Sequence, residues 1–283
     1  MSIKPETGEA AADVVWPGGV LQVEGRDAGS FLQAQLMNDL RPLGVGDWQW
    51  TGWLNAKGRV VALAALLRRG DAEFWLILPD YPAARLADEL RRYVLRSKAL
   101  LTARSDLAIC GARAGTSELG GADQVRLMLG GDRPRYLEIG PHPRPVSDSV
   151  RASTWAVEDL AHGLPRLPET AAASHTPQML GLEQLRAFSV KKGCYPGQEI
   201  VARTHFLGQA KRALRRLDTP RALPPGLALH AGANSVGEVL CSASDGSRHE
   251  ALAVLPLEAP AVLVTGDDGT GVKVIDFSPG LGR

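Results

Sequence analysis

Cysteine is scarce in this chain: three residues in 283, Cys110, Cys194 and Cys241. They are odd in number and far apart, and no Cys-x-x-Cys occurs, which argues against a disulfide framework or a four-cysteine zinc site. Long apolar runs are missing too. The longest, Val60 to Leu67, spans eight residues, against about twenty for a membrane-crossing helix. The stretch up to Asp13 carries Glu6, Glu9 and Asp13 and no apolar core, so it reads neither as a secretory signal nor as a transit peptide. The expectation is a soluble protein, cytoplasmic in a bacterium. Charge of one sign is not in excess: the net charge is +1, and no global field pulls the chain toward nucleic acid or membrane. The six histidines (His142, His162, His175, His205, His230, His249) form no His-x-His or His-x-x-x-His pair, so their spacing indicates no metal site. Gly44-Val45-Gly46 lacks the third glycine of a dinucleotide fingerprint, Gly269-Thr270-Gly271 heads into a strand, and no Gly-x-Ser-x-Gly elbow occurs.

What is present is an ordinary globular composition, 45% hydrophobic and 22% charged, long enough for two or more domains. Val20 to Val23 reads as a strand. Asp27 reads as the N-cap of a helix through Leu40. Trp48 to Leu54, Val60 to Leu67 and Glu73 to Leu78 read as strands, the first two joined by the turn Asn55-Ala56-Lys57-Gly58. Alternation puts Trp48 and Trp50 on one face and Trp53 on the other. Tyr81 to Ser97 has the spacing of an amphipathic helix through Leu86, Leu90, Tyr93 and Val94. Leu100 to Cys110 and Gln124 to Leu129 read as strands, Pro134 to Pro145 as a proline-rich surface loop, Ser153 to Ala161 as a helix, and Leu180 to Phe188 as a further helical stretch. Beyond Gly208, short strands (Arg212 to Leu217, Leu227 to His230, Val236 to Ser242, Ala251 to Leu257, Val272 to Phe277) alternate with Gly, Pro and Asp, the pattern of a small barrel or sandwich. The class is α+β, with a domain boundary near Phe206 to Gln209 that gives regions 1–207 and 208–283.

One segment carries chemistry. Lys192-Gly193-Cys194-Tyr195-Pro196-Gly197-Gln198-Glu199 sets a thiol between two glycines, behind lysines and ahead of a helix start. Cations and a helix N-terminus favour thiolate, and glycine lets a tight, exposed turn form. Lys191, Lys192 and Arg203 are the candidate counter-charges. Gln198 and Glu199 fall in the first helical turn. Cys110 and Cys241 sit in apolar, strand-like surroundings and read as buried small hydrophobes. His205 lies eleven residues beyond Cys194, where it could pair with the thiol or be a surface histidine.

These residues resemble the YgfZ family of folate-binding proteins linked to iron–sulfur cluster assembly and tRNA modification. The likeness rests first on Lys191-Lys192-Gly193-Cys194-Tyr195-Pro196-Gly197-Gln198-Glu199-Ile200-Val201-Ala202-Arg203. It extends to Phe31-Leu32-Gln33-Ala34-Gln35, Lys57-Gly58, Trp155 ahead of Gly163-Leu164-Pro165, Pro177-Gln178 and Lys211-Arg212-Ala213-Leu214. The resemblance implies the fold of the glycine-cleavage T-protein, an aminomethyltransferase: two α+β modules around a central folate-binding hole, then a small C-terminal β-barrel. It implies a functional thiol at Cys194, with Lys192, Gly193, Tyr195, Gly197, Gln198, Glu199 and Arg203 in its loop. It also implies a tetrahydrofolate pocket with contributions from Trp155 and Trp16. The T-protein's catalytic aspartate follows a turn comparable to Asn55-Ala56-Lys57-Gly58, and Ala62 and Leu63 occupy the acidic positions here, which argues against aminomethyl transfer.

The leading expectation is a tetrahydrofolate-dependent accessory protein for 4Fe–4S enzymes, including radical enzymes that methylthiolate tRNA. A lone cysteine cannot hold a four-iron cluster, so any bound cluster would be bridged, shared or brief. The alternatives are a folate-dependent one-carbon transferase and a tRNA-binding module using Arg203, Lys211, Arg212, Arg215 and Arg216 as a basic strip.

Overall fold

The computed structural model of the chain describes residues 14–16, 18–113, 123–130, 135–141, 149–167, 171–208 and 210–281. The first sheet is antiparallel. Its strands are β2 (Gly19–Glu24), β3 (Trp48–Leu54), β4 (Val60–Gly70), β5 (Glu73–Leu78) and β6 (Leu100–Ala103), in the order β3-β4-β5-β2-β6. Its apolar residues run almost without interruption because both faces are buried. Leu21, Val23, Trp53, Ala62, Leu66 and Leu76 face helices α1 (Ala28–Gln35) and α2 (Ala83–Arg91). Their alternates Val20, Trp50, Leu63, Ala65, Trp75 and Ile77 face a second core. Trp48 and Trp50 meet edge to face at 5.5 Å on that side, and Trp53 lies on the other, as the alternation requires.

The second sheet has the order β1-β7-β9-β8, from β1 (Val14–Val15), β7 (Leu107–Arg113), β8 (Val125–Met128) and β9 (Arg135–Pro141). Helix α3 (Ser149–Ala161) follows it, then the turns of 171–196 and helix α4 (Gln198–Leu207). The remaining strands close into a six-stranded barrel: β10 (Arg212–Thr219), β11 (Ala228–Ala231), β12 (Asn234–Ser244), β13 (His249–Pro256), β14 (Val262–Thr265) and β15 (Gly271–Ile275). Leu217, Leu229, Val239, Ala251, Ala253 and Leu255 fill the barrel. Leu214, Leu240, Cys241, Leu252 and Val254 point out of it into the core shared with both sheets and α3. Period-two alternation along β13 thus divides one strand between two cores.

Several elements differ from the sequence expectation. The first helix ends at Gln35, not Leu40, because the chain beyond it pairs with β3: Leu36 bridges Trp53, and Met37 N–H donates to Gly52 O at 2.9 Å. Asp27 does not cap this helix through its side chain. Its carboxylate accepts from Lys98 N–H at 2.7 Å. The second helix covers Ala83–Arg91 rather than Tyr81 to Ser97, and Tyr93 and Val94 close it with tight turns onto Leu90 and Arg91. Leu100 to Cys110 is two strands in two different sheets, β6 and β7. Within Pro134 to Pro145, the residues Arg135–Pro141 form a strand paired with both β7 and β8, while 134 and 142–145 lie outside the described residues. Leu180 to Phe188 is a series of turns. Gly181 (φ 63°) and Arg186 (φ 49°) adopt left-handed conformations that no α-helix can include. Among the described residues, no helix is long and apolar enough to cross a membrane.

Candidate functional site

Cys194 is exposed at the tip of a loop held on both flanks, while Cys110 and Cys241 are buried. Burial pushes the Cys241 thiol up to about 12. Upstream of the tip, Lys192 is 3% exposed. Its ammonium donates to the carbonyls of Gln33 and Leu36 at 2.5 Å each and of Asn38 at 3.1 Å. Burial pushes its pKa down to about 8. The Tyr195 ring lies 4.9 Å from the same ammonium, and burial raises its phenol to about 12. Asn38 ties this corner together, donating from its amide to Trp50 O and Arg186 O, each at 2.8 Å.

The downstream flank rests on the turn between β3 and β4. Asn55 Oδ1 accepts from Lys57 N–H and Arg59 N–H at 2.9 and 3.0 Å, which shapes that turn. Gly58 (φ 67°) and Gly197 (φ 76°) then meet backbone to backbone. A Cβ on Gly197 would lie 2.5 Å from Asn55 O and 2.6 Å from Gly58 Cα. Gln198 reaches back from the first turn of α4 to Lys192 O at 3.0 Å, closing the loop around the thiol. Gln178, 8% exposed, holds the middle of α4 through Val201 O at 2.9 Å.

Four of the separate sequence patches of the resemblance are therefore one physical unit. The Phe31–Gln35 helix, the Lys57-Gly58 turn, Gln178 and the cysteine loop bind one another. All three N–H groups of Lys192 point at backbone carbonyls of the α1 corner. Glu199 and Arg203 are exposed on α4, as is Gly193, whose missing Cβ would meet nothing within 4 Å. His205 packs edge-on against Phe206 at 4.9 Å, near the far end of α4. The proposed basic strip is partly consumed by the fold: Arg212 donates to Val236 O and Val254 O, and Arg216 pairs with Glu250 at 2.7 Å.

Trp16 and Trp155 share a second feature, a cavity of about 350 Å³ between β1, α3 and the barrel, also lined by Arg166, Ser242 and Ser244. The β1–β7 pairing delivers Trp16, whose N–H bonds Ile109 O at 3.0 Å. The Trp16 indole donates to Asp159 at 3.3 Å, and Asp159 accepts from the buried Arg135 guanidinium at 2.9 Å. Arg166, paired with Asp80 at 2.6 Å, sits 5.6 Å from the Trp16 ring. Trp155 lies so close to β7 that a Cβ on Gly111 would come within 2.9 Å of its ring, and Arg135 sits 4.5 Å from its centre. The Trp155 indole N–H is buried with no partner among the described residues. Sequence reasoning missed Asn38, Asp80, Arg135, Asp159 and Arg166. Each is a lone polar residue whose partner lies far along the chain, and no local pattern marks such a residue.

No family model matches the chain. An uncharacterized protein of Haemophilus influenzae is 31% identical over 196 residues, 69% of each chain. The tRNA-modifying protein YgfZ of Vibrio vulnificus is 30% identical over 222 residues, covering 70% of this chain and 67% of the relative. That of Sodalis glossinidius is 27% identical over 297 residues, covering 92% and 90%. Among solved structures, the glycine cleavage system aminomethyltransferase T of Bartonella henselae superposes with a TM-score of 0.66 over 94% of this chain and 86% of that one, at 15% identity. The fold is thus that of the T-protein. Identity of 30% over two thirds of both partners gives the kinship: this chain belongs to the YgfZ family.

Proposed function

We propose that the protein is a tetrahydrofolate-binding accessory protein for the assembly or repair of iron–sulfur clusters in 4Fe–4S enzymes, including radical enzymes that methylthiolate tRNA. Cys194 is the working thiol. The observation that carries this reading is the contrast within the loop: Cys194 is exposed, while Lys192 and Tyr195 beside it are buried and bonded. A rigid frame that presents one free thiol is suited to brief capture of iron, sulfide or a shared cluster. Among the described residues no group of three or more His, Cys, Asp or Glu could hold a metal alone. A cluster at Cys194 would therefore draw its other ligands from a client.

The Trp16–Trp155 cavity fits the ring end of a folate. Its volume lies at the low end of the roughly 300–1,000 Å³ of small-molecule pockets. It is lined by the two indoles, by Arg166 and by Ser242 and Ser244, the Ser242 hydroxyl being donated to Leu223 O. Trp16, Trp155 and Arg166 would hold the group, which when bound supplies a redox-active, one-carbon-carrying heterocycle. One-carbon transfer by the T-protein route is disfavoured. Ala62 and Leu63 are each 2% exposed, pack into the two cores and carry no acid.

The test is complementation of cells lacking their own YgfZ, with methylthiolated tRNA and a 4Fe–4S enzyme activity as readouts. Wild type should restore both and Cys194→Ala neither, with the variant accumulating to wild-type levels. Equal rescue by the two would remove the thiol from the function. Rescue by neither would remove the iron–sulfur role.

A further inference from the structure

We infer that Lys192 is a positioning residue for the Cys194 thiol: it caps the C-terminal end of α1 and so latches the upstream limb of the thiol loop to that helix. The inference rests on Cys194 being the working thiol, but its geometry and its test need neither folate nor a client.

A helix end leaves carbonyls without intrahelical partners, and a left-handed glycine often satisfies them. Helix α1 has no such glycine. Its C-cap, Leu36, is extended (φ −89°, ψ 153°), and the chain leaves directly toward β3. The ammonium of Lys192, from 156 residues away, takes Gln33 O, Leu36 O and Asn38 O instead. An ammonium has three donors, and all three are used. A cation at a helix C-terminus is also favoured by the helix dipole. The main chain on this limb is tied to the same place: Ser189 N–H donates to Met37 O at 2.9 Å, and Lys192 O accepts from Gln198. Gly193 has nothing near its Cβ position. The placement of Cys194 therefore comes from Lys192 on one side and the Gly58–Gly197 contact on the other. The two limbs are anchored to different elements, so they should loosen separately.

Amide hydrogen exchange on the full chain tests this, with wild type, Lys192→Met and Lys192→Arg, alongside alkylation of Cys194 by iodoacetamide across pH. In Lys192→Met, amides of 32–38 and 189–194 should exchange about tenfold faster or more, while those of α4 (Gln198–Leu207) and of the barrel strands keep their rates. Lys192→Arg, which retains cationic donors, should recover part of the protection. The pH midpoint of Cys194 alkylation should stay in place. Unchanged exchange with an upward shift of that midpoint would make Lys192 a counter-charge and overturn the latch. Faster exchange everywhere would reduce Lys192 to a generic core contact. Should Lys192→Met fail to fold, denaturant-dependent exchange of the wild type decides: 32–38 and 189–194 open as one unit if the latch exists, and separately if it does not. Failure of complementation would sink the iron–sulfur reading and leave these outcomes readable.

Discussion

At the scale of single residues, two glycines of one motif have unlike roles although the sequence writes them alike. Gly193 is exposed, with nothing within 4 Å of its Cβ position. Gly197 is left-handed at φ 76° and would drive a Cβ to 2.5 Å from Asn55 O. All three crowding atoms, Asn55 O, Gly58 Cα and Gly58 N, are backbone, so none can rotate away. Forcing a side chain into a sparsely populated backbone region costs about 1–3 kcal/mol, and overpacking costs a similar amount. Gly197→Ala should therefore lower the melting temperature by several degrees, at about 2–4 °C per kcal/mol for a chain of this size. It should also separate the thiol loop from the β3–β4 turn. Gly193→Ala should leave melting where it is. Equal melting of the two variants in a calorimeter would refute the backbone interlock.

At the scale of elements, legibility followed locality. The strands around Trp50, Val60 to Leu67 and Glu73 to Leu78, the turn at Asn55-Ala56-Lys57-Gly58 and five of the six barrel strands beyond Gly208, all but β14, could be read from the sequence, because alternation and turn residues are short-range signals. So could exposure of the thiol, from its glycines. Strand β9 was hidden by the prolines around it. One of them, Pro141, is its last residue, where a missing N–H costs least. Its partners β7 and β8 were not readable from its own residues, nor was the cap that Lys192 supplies to α1. Strand β9 also carries Arg135 inward, 1% exposed, where it binds Asp159 and faces Trp155. Removing one partner of a buried pair strands the other charge, at about 3–5 kcal/mol. Arg135→Met should cost that much in urea unfolding. Adding Asp159→Asn should recover much of it, since the stranded charge is then gone while an acceptor for Trp16 remains. No recovery in the double variant would mean that Arg135 acts by packing alone.

At the scale of the whole molecule, the barrel is tied back to the first sheet by the segment that follows β15. Ser278 N–H donates to Ala161 O at 2.7 Å, Gly280 lies against Gly130, and Leu281 is 3% exposed in the shared core. The buried Trp50 indole donates to Leu281 O at 3.1 Å. Trp50 O in turn accepts from Asn38, whose own carbonyl receives Lys192. A continuous run of bonds therefore leads from residue 281 to the corner that holds the thiol loop. Deleting residues 276–283 would remove a buried leucine, at about 1.5–3 kcal/mol, and leave a buried indole N–H without an acceptor, at about 1–3 kcal/mol. The loss falls chiefly on β3 and the loop corner, because the barrel strands keep their ladder and give up only the Arg216 bond to Asp276 O. The expected outcome is a lower unfolding midpoint by tryptophan fluorescence, with amides 189–194 losing protection before those of β10 and β13. If protection fell first in the barrel, the segment would be part of the barrel's own stability, and the bonds through Trp50 and Asn38 would carry nothing to the thiol.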